Sequence, residues 1–181
     1  MQLTNSYPLT FDSWDEEEIN SIHRVIKSNQ FTYSKNVLKF EKKLAKFHKL
    51  KYCVLTNSGS SANLIAISSL FYKKKNPLRT NDEVIVPGVS WSTTYSPLQQ
   101  LGLKLKLVDI NFETLNIDEK NVSKAITNKT KLIIPVNILG NPANLIDLQK
   151  ICKINSIKNY KIDSISFYNF KSNLILIINK N

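Results

Sequence analysis

The stretch TNSGSSANLI, Thr56 to Ile65, decides how this chain is read. It follows a short apolar run and opens a helical pattern, and it holds one of only four glycines in 181 residues. A glycine between strand and helix lets the backbone approach a bound group closely, because no Cβ stands in the way. Ser60 and Ser61 add first-turn amides and hydroxyls, and the helix dipole adds partial positive charge. Gly59, Ser60 and Ser61 are therefore a candidate phosphate cradle. The competing reading is a turn glycine followed by capping serines. The stretch lacks the G-K-[ST] ending of a nucleoside-triphosphate loop, so that ligand class is not expected.

Outward from this stretch the chain alternates between two periodicities. Tyr52 to Asn57 is a short β-branched and aromatic run, and the residues from Ser60 to Tyr72 have helical spacing. Glu83 to Pro87 reads as a strand stopped by Pro87 and Gly88. A helix is expected over 91–101, with a possible restart at Ser96 and Pro97. Residues 103–110 alternate strictly, so one face of that strand should be wet, and 131–138 are apolar almost throughout. Helices are expected near 118–127 and 144–155. Before all of these come two further helices, 14–28 and 35–48, the first opened by a capping box of Ser13 and Glu16. Strand and helix in alternation at these lengths imply crossover connections: an α/β fold with a mainly parallel sheet and helices on both faces. No internal repeat is found.

Composition narrows the function classes. With 42% hydrophobic residues the chain can bury a core. Its apolar run Leu174 to Ile178 is far short of the roughly 20 residues a membrane-spanning helix needs. The N-terminus has neither a basic start nor an apolar stretch, so a cytoplasmic protein is expected. The net charge of +11 does not indicate a nucleic-acid partner. Arg24 and Arg79 are the two arginines, and base readout and phosphate forks favour arginine. Cys53 and Cys152 have no metal-ligand spacing and read as buried fillers.

In a parallel sheet, ligands sit at the carboxyl ends of the strands. The segment after Gly59 that satisfies this is PGVSWSTTYSP, residues 87–97, at the tip of the next strand. Trp91 stands there among hydroxyl residues, an odd choice for a core, and an indole beside a phosphate cradle can stack on a flat aromatic group. Simple packing is the alternative.

Three segments carry a resemblance: FTYSKNVLKFEKKLAKFHKLKYCVLTNSGSSANLIA from Phe31, DEVIVPGVSWSTTYSPLQQLGLKLKLVDIN from Asp82, and TKLIIPVNILGNPANLIDLQKI from Thr130. In this order they resemble the N-terminal half of the DegT/StrS-type sugar aminotransferases, which depend on pyridoxal 5'-phosphate; the likeness covers residues 7–155. It implies an incomplete aspartate-aminotransferase-like (fold type I) large domain over 1–157, followed by a divergent or truncated tail, 158–181. It implies that Gly59, Ser60 and Ser61 bind the cofactor phosphate and that Trp91 stacks on the pyridine ring. Ser34 departs from the family, which usually has a glycine there. Asn137 stands where the family often has a polar residue near the cofactor; a turn-forming role is the alternative. His23 and His48 read as surface or satisfied histidines, Asp109 as a strand end and Asp118 as a helix cap.

The family's remaining chemistry lies further on, in an aspartate that pairs with the pyridinium nitrogen and in a Schiff-base lysine. Two alignments compete. Counting from the GNP at 140–142 brings Asp163 to the aspartate. The spacing of SFYNFK instead makes Lys171 the lysine and Ser166 a further phosphate contact. Asp163 and Lys171 are eight positions apart, too close for both to hold the family register. The resemblance implies amino transfer from glutamate to a nucleotide-linked keto-sugar, for surface-polysaccharide or antibiotic sugar synthesis, with a homodimer completing each site. The alternatives are the family's 3-dehydratase branch, which has histidine in place of the lysine, and an inactive remnant acting at most as a binding or dimerising module.

Overall fold

The computed structural model describes residues 13–154, 168–170 and 173–178. The chain divides into two compact units, one ending at Phe40 and the other beginning at Glu41.

In the first unit, helix α1 spans Glu16–Ser28. It starts two residues later than expected, because Asp15 and Glu18 form the capping box in place of Ser13 and Glu16. The Glu17 N–H donates to Asp15 Oδ1 at 2.7 Å, and the Asp15 N–H donates to Glu18 Oε2 at 2.9 Å. A carboxylate suits this place better than a hydroxyl, since its charge also meets the helix dipole. Asn29, at φ 53°, ends the helix in the left-handed conformation. Ile19, Ile22 and Ile26 recur at helical spacing, yet all three are exposed. Helix α2, Lys35–Phe47, contains the divide between the units.

The second unit holds strand β1 (Tyr52–Leu55), helix α3 (Gly59–Phe71), β2 (Glu83–Pro87), α4 (Ser92–Gln100), β3 (Lys104–Val108), α5 (Glu119–Ala125), β4 (Thr130–Ile133), a 3-10 turn (Ile138–Gly140), α6 (Leu145–Ile154), β5 (Tyr168–Phe170) and β6 (Asn173–Ile178). Strand β2 is central, with β3 and β4 parallel on either side. Both of its faces are covered. Val84 and Val86 pack with Ile67 of α3 and Leu98 of α4. Ile85 points the other way, into a cluster with Val122 of α5 and Leu148 and Cys152 of α6. A strand buried on both faces is apolar throughout, which is why Val84–Val86 reads as a continuous run. At the sheet's edge, β3 leaves Leu107 62% exposed.

Among the described residues β1 joins a second ladder, pairing antiparallel with β6, which pairs antiparallel with β5. Strand β4 ends at Ile133, well before 138, since Pro135 has no N–H to continue the ladder. The Ile134 N–H still reaches the Ile85 carbonyl at 2.9 Å. Gly102 ends the turn into β3 at φ 70°, where a Cβ would stand 2.7 Å from Thr80 Cγ2, so both the backbone and the packing favour glycine. No helix among the described residues is long and apolar enough to cross a membrane.

Candidate functional site

Gly59 is the first residue of α3, directly after the turn that leaves β1. Ser58 is the N-cap, in extended conformation, and its Oγ accepts from the Ser61 N–H at 3.2 Å. The same hydroxyl lies 3.1 Å from Ser61 Oγ and donates to it. The first intrahelical bond runs from the Ala62 N–H to the Ser58 carbonyl. The N–H groups of Gly59 and Ser60 therefore head a 13-residue helix with no acceptor among the described residues. Ser60 is exposed and Gly59 half-buried. Two unpaired amides, the Ser61 hydroxyl hydrogen and the positive end of the dipole are the donors that an anion would need at this helix start. The cradle differs from the expected one in one respect: the Ser61 amide is already taken by its own cap.

The second helix start is built differently. Trp91 is the N-cap of α4 and makes no side-chain capping bond. A tryptophan in that place forgoes about 1 kcal/mol that a Ser or Asp cap supplies. Ser90 does not cap either; its Oγ pairs with Thr94 Oγ1 at 2.8 Å. The indole is 77% exposed, which removes the core-packing alternative. Its backbone, by contrast, is firmly tied. The Gly88 N–H donates to the Val108 carbonyl at 2.7 Å, and the Thr94 N–H to the Trp91 carbonyl at 2.9 Å. Tyr95 Oη donates to the last carbonyl of β2, that of Pro87, at 2.8 Å. Burial pushes the Tyr95 phenol up from its ordinary value, so it stays protonated and remains a donor.

The two helix starts are joined by one bond. Asn63, one turn into α3, donates through Nδ2 to the Thr93 carbonyl in the first turn of α4, at 3.0 Å. That carbonyl is available because of Pro97. Four residues further along α4, proline has no N–H to return to Thr93. The helix runs unbroken through Pro97, with no restart. Asn63 thus serves a group the helix cannot satisfy itself, and it places the N-termini of α3 and α4 side by side.

The other candidates stand elsewhere. Asn137 Oδ1 accepts from the Ala143 N–H at 2.9 Å, the turn-forming role. Asp118 caps α5, accepting from the Lys120 and Asn121 amides. Asp109 follows β3 and its carbonyl accepts from the Asp118 N–H. His23 is exposed on α1, and the His48 ring meets Phe47 edge-on at 4.9 Å. Asp163, Ser166 and Lys171 lie outside the described residues. No cluster of metal-ligating side chains occurs among the described residues.

Residues 12–160 match the DegT/DnrJ/EryC1/StrS aminotransferase family. The chain belongs to this family. Among its relatives, the GDP-4-keto-6-deoxy-D-mannose 3-dehydratase of Yersinia pseudotuberculosis is 51% identical over 146 residues, 81% of this chain and 37% of that protein. The 3-oxo-glucose-6-phosphate:glutamate aminotransferase of Bacillus subtilis is 31% identical over 143 residues, 79% of this chain and 31% of that protein. A solved structure of the E. coli GDP-4-keto-6-deoxy-D-mannose-3-dehydratase with bound hydrated PLP superposes with a TM-score of 0.85 at 38% identity. It matches 97% of this chain and 51% of that one. The chain thus spans between about a third and a half of the length of these relatives.

For a DegT/StrS-type chain, the structure brings Gly59, Ser60 and Ser61 to one helix start, and Asn63 links that helix to the one Trp91 opens. Two members of this arrangement escape a reading of the sequence alone: Asn63 and the cap Ser58. Both have a local signal. Asparagine is a poor residue for a helix interior, and a proline inside a helix leaves a carbonyl wanting a donor.

Proposed function

We propose that this chain is the part of a pyridoxal-phosphate-dependent enzyme that holds the cofactor's phosphate and ring, and that the enzyme acts on a nucleotide-linked keto-sugar. The observation that carries this reading is the Asn63–Thr93 bond, which ties the helix headed by the unpaired Gly59 and Ser60 amides to the first turn of the helix that the exposed Trp91 opens. The Gly59 and Ser60 amides and the Ser61 hydroxyl would hold the phosphate. Trp91 would lie against the pyridine ring, where an aromatic face also excludes water. When bound, the cofactor supplies an electron sink next to the substrate's reacting carbon. In one register Lys171 would move the proton at that carbon and Ser166 would touch the phosphate; in the other, Asp163 would hold the ring nitrogen.

Two reactions share this site. Amino transfer from glutamate is what a lysine at 171 supports. Loss of the sugar 3-hydroxyl is favoured by similarity, since the dehydratase relative is 51% identical and the aminotransferase relative 31%. Sugars of both kinds enter surface polysaccharides, which fits a cytoplasmic enzyme. The exposed Ile19, Ile22 and Ile26 of α1 support self-association into a homodimer.

Binding and reaction are tested separately. In a Trp14→Phe background, pyridoxal phosphate should quench the remaining tryptophan emission. Trp91→Leu, whose binding is read by equilibrium dialysis of pyridoxal phosphate because no tryptophan remains, and Gly59→Asp, which would set a carboxylate against the phosphate, should each weaken binding by roughly tenfold. Binding unchanged in both variants would overturn the assignment. Incubation with glutamate, pyridoxal phosphate and a GDP-linked 4-keto-6-deoxy-sugar then separates the reactions by product mass: an amino sugar indicates transfer and a 3-deoxy product dehydration. Cofactor binding with neither product identifies a binding remnant.

A further inference from the structure

We infer that Asn63 is a positioning residue for the cofactor ring, acting through α4 and not through contact with ligand; the inference rests on the reading of the site just given. Its geometry is unusual for a helix-interior asparagine. The side chain neither back-bonds to its own helix nor meets solvent fully, but reaches across to the Thr93 carbonyl at 3.0 Å. Pro97, buried in the middle of α4, is what leaves that carbonyl without a helical donor. Thr93 is two residues from Trp91, so the bond fixes the end of α4 that carries the indole against the helix whose amides form the cradle.

Other ties hold Trp91 from the sheet side: Gly88 to Val108 and Tyr95 to Pro87. Those set its height above the strand ends. Only the Asn63 bond, among the described side-chain bonds, runs from α3 to α4. The cradle and the stacking face belong to different helices, which pack through Ile67 and Leu98 further along and are tied near their starts by the Asn63 amide. A ligand with both a phosphate and a ring must satisfy both at once, whereas a bare phosphate needs the cradle alone.

This separation gives the test. Inorganic phosphate binding is read from the Gly59 and Ser60 amide shifts in nuclear magnetic resonance, and pyridoxal phosphate binding from Trp91 quenching in the Trp14→Phe background. Asn63→Ala should leave phosphate affinity unchanged and lower pyridoxal phosphate affinity about fivefold, the share of one hydrogen bond. Pro97→Ala supplies the missing N–H, and a carbonyl with two lone pairs can accept from it and from Asn63 together. Pro97→Ala alone should therefore keep both affinities. In Asn63→Ala/Pro97→Ala the helix carbonyl is satisfied again, so thermal stability should recover, while the pyridoxal phosphate affinity stays low. Recovery of that affinity in the double variant, or a parallel fall of both ligands in Asn63→Ala, would show that Asn63 merely satisfies a stray carbonyl. If Asn63→Ala does not fold, the double variant is read against Pro97→Ala alone. A wild-type chain that binds neither ligand overturns the cofactor reading and this inference with it, whereas normal binding with an unaltered ligand preference overturns this inference only.

Discussion

Removing the charge of Glu83 should destabilise the second unit without touching the proposed cofactor site. Glu83 starts β2, and its Oε1 accepts from Thr130 Oγ1 at 2.5 Å and Thr127 Oγ1 at 3.0 Å, with Lys106 Nζ at 3.7 Å. The side chain is only 19% exposed, so these partners have replaced most of its water. A hydrogen bond to a charged group is worth about 1.5–3 kcal/mol net, and the half-open Lys106 pair adds at most about 1 kcal/mol. Burial raises the carboxyl's pKa, but the two threonine hydroxyls and Lys106 outweigh it and hold it below the ordinary 4.5. A pKa lowered by folding means stability that is present above the unfolded value and lost as pH falls through the folded one. At neutral pH, Glu83→Ala, which removes both threonine bonds, should cost about 3–4 kcal/mol, the lower end of their combined worth, and Glu83→Gln, which keeps an acceptor, about 1 kcal/mol. Urea unfolding followed by circular dichroism measures this. The gap between wild type and Glu83→Gln should close below pH 4.5. A Glu83→Gln chain as stable as wild type at neutral pH, or a gap that persists in acid, would refute the reasoning. Glu83 lies at the opposite end of β2 from Pro87, so the folded variant should bind pyridoxal phosphate as wild type does.

Two further outcomes follow from single contacts. Ser58→Ala removes the α3 cap and should cost about 1 kcal/mol in thermal unfolding, while the freed Ser61 amide keeps or raises phosphate affinity; a fall in that affinity would place Ser58 Oγ on the ligand itself. Burial, and then the nearby Glu41 carboxylate, push the Cys53 thiol up to about 11, and burial raises that of Cys152. Neither should react with a thiol reagent at neutral pH until the chain unfolds, and rapid labelling of either native thiol would contradict their burial.

What was legible in the sequence follows from how locally each feature is determined. Strand β2 was readable to the residue, because a fully buried strand is apolar at every position and Pro87 with Gly88 closes it. Helix α2 is legible through its periodic apolar face, and α5 and α6 fall within two residues of their expected bounds. The start of α1 was misplaced because two overlapping boxes, Ser13 with Glu16 and Asp15 with Glu18, satisfy the same pattern, and only the backbone decides between them. Strand β4 was overextended because apolar content says nothing about the missing N–H of Pro135. The cradle at Gly59 was visible, but not that Ser58 would occupy the Ser61 amide, since a serine before a helix reads equally as cap or as ligand contact. The pairing of β1 with β6 joins residues more than a hundred positions apart, and no local pattern encodes such a partner. The Asn63–Thr93 bond is non-local in the same way.

The helix starts themselves separate folding from function. Asp15 caps α1, Ser58 caps α3 and Asp118 caps α5, each with a side-chain oxygen on a first-turn amide. Helix α4 breaks the pattern twice, with an exposed tryptophan at its N-cap and a proline in its interior. Each departure costs stability that a commonplace residue would have supplied. Departures from local preference that gather in one turn are expected where a chain is shaped for a ligand and not only for its own fold. Here the repair comes from the neighbouring helix: Asn63 supplies the donor that Pro97 withholds. A helix start left uncapped by its own sequence is thereby tied to the neighbouring helix α3.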